Sequence, residues 1–224
     1  GSVTVGKIVA QAAAKNLTPV TLELGGKNPC IIDENADLEV AAKRIVWGKF
    51  VNAGQTCIAP DYILVQGKEK FNFVELLKRE IVKAYGENPE ESKDFARIIN
   101  NKNWRRLTAM IEPSKVIFGG VTNENDLFIS PTLIDEPSLT SEVMKDEIFG
   151  PILPIISYHD ETDLKKIIST YEKPLALYVF SNDKNFAERM IINFSFGGGC
   201  VNDCMIHFAN KRLPFGGVGL SGLG

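Results

Sequence analysis

The chain has 224 residues, 44% of them apolar and 24% charged, with a formal net charge of −3. That length admits one large domain or two small ones, and the composition is that of an ordinary globular protein. The positive charges are scattered, without the basic stripe of a nucleic-acid binder or the polybasic run of a membrane-surface binder, and no apolar run reaches the length of a membrane span.

Val5, Ile8, Val9, Ala12 and Ala13 recur at helical spacing and predict a helix over about 4–16. Pro19 separates it from a strand over 20–24. Leu38, Ala41, Ala42, Ile45, Val46 and Phe50 share one side of a second helix over about 37–51, with Asn35 or Asp37 as its cap. A strand over 62–65 follows, then a long helix over about 68–85 that turns Phe71, Val74, Leu77, Ile81 and Tyr85 inward and stops at Gly86. A shorter helix over 101–112 points Trp104, Leu107 and Ile111 inward. Strands over 116–118, 132–134 and 152–157, a helix over about 161–171, an apolar strand over 175–180, a helix over about 184–193 and a short strand near 200–202 complete the chain. Strands alternating with helices predict an α/β fold in three layers, a mostly parallel sheet with helices on both faces.

The four cysteines, Cys30, Cys57, Cys200 and Cys204, make no C-x-x-C pair, and with only His159 and His207 beside them no metal site is expected. No stretch near the start reads as a signal peptide. Together these features give the expectation of a cytoplasmic protein with reduced thiols. The chain opens on Gly1-Ser2 without a methionine and stops in the glycine-rich run 215–224, which reads as a segment of a longer polypeptide.

Cys57 lies in the run Phe50-Val51-Asn52-Ala53-Gly54-Gln55-Thr56-Cys57, just after a Gly-Gln-Thr turn and just before an apolar strand. Most lone cysteines are structural. A thiol on a turn, however, faces a cleft more readily than one in mid-strand, and it needs positive potential or backbone N–H groups nearby to act as a thiolate. Upstream, Leu22-Glu23-Leu24-Gly25-Gly26-Lys27 puts a carboxylate at a strand end beside two glycines. Its plain reading is a solvated carboxylate or a partner for Lys27. Partly buried at the end of a sheet strand, Glu23 would instead hold its proton more tightly and suit a base acting on water. Gly1-Ser2 and Gly6 open a helix whose N-terminus can admit a phosphate, a weak signal on spacing alone. Glu147-Ile148-Phe149-Gly150-Pro151 reads either as a helix end or as a ligand loop, with Glu147 on a sugar hydroxyl and Phe149 as a stacking face.

In order and spacing, these four clusters together with Leu213-Pro214-Phe215-Gly216-Gly217 resemble the NAD(P)-dependent aldehyde dehydrogenase superfamily, over essentially the whole chain. The wording of Trp47-Gly48-Lys49-Phe50, Ala59-Pro60-Asp61-Tyr62 and residues 173–180 is similar to its class 3, fatty-aldehyde branch. The resemblance implies that Cys57 attacks the aldehyde carbon and that Glu23 activates the water that hydrolyses the thioester. It implies NAD or NADP as cofactor, with Ser2 on the pyrophosphate, Leu24 and Gly25 against the nicotinamide, Glu147 on the nicotinamide ribose and Phe149 beside it. More weakly, it implies Asn202 as a support residue near the site and Phe215 as a lining of the aldehyde pocket.

It also implies a division into the end of a dinucleotide-binding domain (1–26), a thiol-bearing catalytic domain (27–212) and a return segment (213–224). Medium- or long-chain aliphatic or aromatic aldehydes are the expected substrates, and a homodimer the expected assembly. The family's chains extend much further on the N-terminal side, where most of the dinucleotide site and a second oxyanion donor lie. The isolated chain is therefore expected to be nearly inactive and prone to associate. Two rival readings remain: an acylating dehydrogenase, against which Glu23 argues, and a non-catalytic binding module.

Overall fold

The computed structural model describes residues 1–223. In chain order the elements are helix α1 (Val3–Ala14), strand β1 (Leu22–Glu23), β2 (Pro29–Ile32), α2 (Leu38–Phe50), β3 (Tyr62–Gln66), α3 (Lys70–Tyr85), α4 (Asn101–Thr108), β4 (Val116–Phe118), β5 (Thr122–Asn123), β6 (Phe128–Ile129), β7 (Thr132–Asp135), α5 (Glu142–Lys145), β8 (Ile152–Tyr158), α6 (Glu161–Ile168), β9 (Ala176–Phe180), α7 (Lys184–Asn193), β10 (Gly198–Val201) and β11 (Gly222–Leu223).

Seven strands form one sheet in the order β10-β9-β2-β3-β8-β7-β4. All neighbours are parallel except the edge pair β4–β7. Strands β2, β3 and β9 are apolar runs buried almost throughout, as expected of a parallel sheet covered on both faces. The β2–α2–β3 unit runs toward β8, whereas β8–α6–β9 and β9–α7–β10 run the other way. Right-handed crossovers therefore put α2 on one face and α6 and α7 on the other. The Asp37 carboxylate caps α2 by accepting from the Val40 N–H at 3.0 Å, and Gly86, at a φ of 81°, stops α3.

The expected layers are found, and three local readings are corrected. The strand expected over 20–24 is only the two-residue β1, which pairs antiparallel with β11 outside the main sheet. The true sheet strand in this region is β2, too short and too close to Pro29 for alternation to reveal it. In α3, Phe71 is 81% exposed while Phe73 is buried, because Phe73, Leu77 and Ile81 stack at four-residue spacing on the buried face of the helix. The third concerns Glu23. A two-residue ribbon leaves its side chain exposed rather than partly buried.

Candidate active site

Helix α2 ends at Phe50, and the chain then makes a tight turn in which Asn52, Ala53 and Gly54 all adopt left-handed backbone, with φ of 54°, 51° and 73°. Gly54 is sterically required: a Cβ there would lie 2.3 Å from the carbonyl oxygen of Gly150. The turn that leads to Cys57 thus rests directly on the loop that carries Glu147 and Phe149. Cys57 itself is half-buried.

Asn28 fixes this turn from below. Its Nδ2 donates to the carbonyls of Cys57 at 2.8 Å and Ala59 at 3.0 Å, and its Oδ1 accepts from the Ala176 N–H at 2.9 Å. One buried carboxamide therefore joins the amino ends of β2, β3 and β9 to the backbone of Cys57. The Tyr178 hydroxyl donates to the Ile58 carbonyl at 2.5 Å and adds a second brace.

The groups around the thiol are negative. Burial pushes the Cys57 thiol above its ordinary range, Glu147 and then Glu23 push in the same direction, and its own backbone N–H pulls it down. The Glu147 carboxyl is itself pushed up to about 7 by burial and by Asp61, against the Gly26 N–H and Lys49. It lies across Gly25, where a Cβ would meet its Oε2 at 2.2 Å. Glu147 Oε1 is buried and has no hydrogen-bond partner among the described residues. A buried acceptor left open in this way fits a ribose hydroxyl.

Behind this lies a buried ionic group that the sequence reading missed. Lys49 is fully buried, and burial brings its pKa down to about 8, with Asp61 acting against. Lys27 Nζ lies 2.7 Å from Asp61 Oδ2, off the hydrogen-bond direction, and donates to the Val143 carbonyl at 2.6 Å. Asp61 Oδ1 accepts the Ile148 N–H at 3.0 Å, and Arg106 donates to the Ile148 carbonyl at 2.6 Å, so the Glu147 loop is held on both sides of its peptide. One signal was available: Lys49 falls on the apolar stripe of α2 with Ala42 and Ile45, an unusual place for a charge.

The other predicted residues divide. Ser2 caps α1, its Oγ accepting from the Val5 N–H at 3.4 Å, and a Cβ on Gly6 would meet Leu24 at 3.0 Å. Ser2, Leu24, Gly25 and Glu147 therefore gather at the start of α1. Phe149, at a φ of 49° and 39% exposed, stands on the rim. Phe215 is half-buried on the glycine-rich segment that returns past Gly197 to pair β11 with β1.

Asn202 is not brought to the cluster. It follows the carboxyl end of β10, where its side chain bonds the Ser181 backbone twice at 2.9 Å and its carbonyl accepts from Arg44. That end is separated from the Cys57 end by the length of β9, roughly 16 Å at the usual strand rise. Cys57, Asn28 and Phe149 all precede their strands, so this cluster lies at the amino ends of the sheet strands. A cavity of about 490 Å³ between the segment after α4 and α5, and one of about 230 Å³ on the outer side of β9 and β10, are lined by none of the predicted site residues.

The charge arrangement has a direct consequence. Replacing Glu147 by glutamine removes the negative group that most raises the thiol. Above about pH 7.5 the variant's Cys57 should react with iodoacetamide about threefold faster than the wild type's. Below the Glu147 pKa of about 7 the wild-type carboxyl is already neutral, and the two rates should converge. Peptide-resolved alkylation checks this, and a slower variant at alkaline pH overturns it.

A family model described as the aldehyde dehydrogenase family matches residues 1–224. Aldehyde dehydrogenase family 3 member A2 of Rattus norvegicus is 50% identical over 224 residues, which cover 100% of this chain and 46% of that protein. The dimeric NADP-preferring aldehyde dehydrogenase of Rattus norvegicus is 48% identical, with 100% and 49% covered. Among solved structures, the substrate-bound state of Staphylococcus aureus AldH superposes with a TM-score of 0.96 at 49% identity, covering 100% of this chain and 49% of that one. The chain thus spans about half the length of the relatives it matches.

Proposed function

Because the chain belongs to the aldehyde dehydrogenase family, we propose that it serves the NAD(P)-dependent oxidation of an aldehyde to a carboxylic acid, with Cys57 as the nucleophile and Glu23 as the base of the second half-reaction. The observation that carries this reading is the left-handed turn that seats the half-buried Cys57 against the loop of Glu147, with the Glu147 and Glu23 carboxylates both acting on the thiol's charge. The thiolate attacks the aldehyde carbon to form a thiohemiacetal, and the Cys57 N–H would be one donor to the oxyanion. Glu147 would hold a bound nicotinamide at its ribose, and that nicotinamide would accept the hydride leaving the thiohemiacetal carbon. A thioester then remains on Cys57. Glu23 takes a proton from water, the water attacks the thioester carbon, and the thiol leaves with the acid released.

Class 3-type substrates, medium- or long-chain aliphatic or aromatic aldehydes, are supported by an apolar surface over the end of α2. Trp47 is 48% exposed there, and Met205 packs on Gly48, next to exposed Ile206 and Phe208. NAD or NADP is the proposed cofactor, and one relative is named as NADP-preferring. The pairing of β1 with β11, and Leu24 N–H donating to Ser221 O at 3.1 Å, support a division into the end of a dinucleotide-binding domain over 1–26, a thiol-bearing domain over 27–212 and a segment over 213–224 that returns toward the first. A homodimer is supported by the open edge strand β10 beside exposed Ile192 and Val201, and by a relative named as dimeric. Among the described residues no helix is long and apolar enough to cross a membrane.

The test is aldehyde-dependent appearance of the reduced nicotinamide, followed by absorbance with aldehydes of increasing chain length. A polypeptide carrying this chain that oxidises none of them overturns the reading. The exposed apolar residues Val5, Ile8 and Val9 of α1 favour a second outcome for the 224 residues taken alone, association with little turnover.

A further inference from the structure

One side chain fastens the turn that carries Cys57 to a distant part of the chain. The Gln55 Nε2 donates to the carbonyls of Arg97 and Asn52, each at 3.0 Å, and its Oε1 accepts from the Ile99 N–H at 3.0 Å. Bonding the C=O of residue 97 and the N–H of residue 99 is what a neighbouring strand does, so the carboxamide acts as one rung of a β-ladder. Asn52 Nδ2 returns a bond to the Gln55 carbonyl at 3.0 Å, and the Gln55 N–H donates to the Asn52 carbonyl at 3.1 Å.

The anchor is firm. Phe95 and Ile98 are buried, the Ile98 N–H donates to Leu127 at 3.0 Å, and Arg97 pairs with Asp126 at 2.6 Å and donates to the Glu90 carbonyl at 2.6 Å. The turn needs an anchor. Asn52 and Ala53 sit in left-handed backbone that only glycine adopts freely, and such residues persist only where the surroundings hold them.

We propose that Gln55 is a positioning residue: clamped on Arg97 and Ile99, its carboxamide holds the left-handed turn in the conformation that presents Cys57 to Glu23 and Glu147. The proposal rests on Cys57 being the nucleophile. It follows from chemistry that only a carboxamide satisfies, one acceptor facing an N–H and one donor facing two carbonyls. In Gln55→Glu the introduced carboxylate keeps the bond from Ile99 but turns an oxygen toward the Arg97 and Asn52 carbonyls. Protonation restores a donor, and hydrogen bonding to the neutral form raises the pKa of that carboxyl. The titratable groups on the elements packed around it are Cys57 on its own turn, Glu90, Lys93, Asp94 and Arg97 with its partner Asp126 on the facing side, Glu147 beyond Gly54, and Lys49 at the end of α2.

The experiment compares Gln55→Glu and Gln55→Met with wild type in a polypeptide that carries this chain and oxidises aldehyde. At about pH 8 both variants should lose about tenfold in kcat, with the cofactor KM unchanged. As pH falls toward about 5.5, the Gln55→Glu to wild-type ratio should climb while the Gln55→Met ratio stays flat. A flat Gln55→Glu ratio, or Gln55→Met with wild-type kcat, overturns the proposal. If Gln55→Glu does not fold, the kcat of Gln55→Met decides alone. Full activity in Cys57→Ala would instead remove the premise, a result separable from either.

Discussion

Replacing Cys57 by alanine is expected to lower aldehyde-dependent formation of the reduced nicotinamide by roughly 10⁴-fold or more, since the covalent route disappears with the sulfur. The fold should barely notice. The bonds that hold this residue run through its backbone, with its carbonyl accepting from Asn28 Nδ2, and its side chain is only half-buried. A melting temperature within about 3 °C of wild type is therefore expected beside the lost activity, because only one small, partly exposed side chain is shortened. The pair of measurements is decisive. Unchanged turnover in the variant would mean that the thiol is a bystander, whatever the cluster around it resembles.

Replacing Glu23 by glutamine should separate the two half-reactions. The first turnover is expected to remain, seen as a burst of about one reduced nicotinamide per site, while the steady state falls roughly 10²–10⁴-fold for want of a base. Glu23 suits such a change because it makes no ion pair among the described residues and its backbone pairs with Gly222 across the ribbon, so the substitution disturbs little else. Its exposure also fits a group that meets water, the second substrate. Loss of the burst would move Glu23 into the attack on the aldehyde. An unchanged steady state would remove hydrolysis through Glu23 from the reaction.

The layered α/β fold was legible because helical stripes and apolar strands recur at clear spacing. β2 was not, since four residues beginning with proline carry no alternation, although this strand lies between β3 and β9 in the middle of the sheet. Cys57 on a turn, Glu23 at a strand end and Glu147 in a helix end or loop were singled out by residue type, and their proposed roles came from resemblance. Asn28, Gln55, Lys49 and Asp61 were not, because their work is to hold backbone or to balance buried charge, and those duties appear only when distant segments meet. Asn202 shows the converse: the resemblance implied a support residue near the site, yet its side chain bonds the Ser181 backbone at the far end of the sheet.

The bond from Ala176 to Asn28 spans 148 positions of the chain. Pairings of such sequence separation form late, because the intervening loop must close before the contact repays it. During synthesis the thiol of Cys57 therefore emerges from the ribosome long before the strand that sets its support in register. Until β9 docks beside β2, this cysteine is an ordinary exposed thiol, open to oxidation or to reactive aldehydes and without the carboxamide that holds its turn. The interval between making Cys57 and bracing its turn is set by topology.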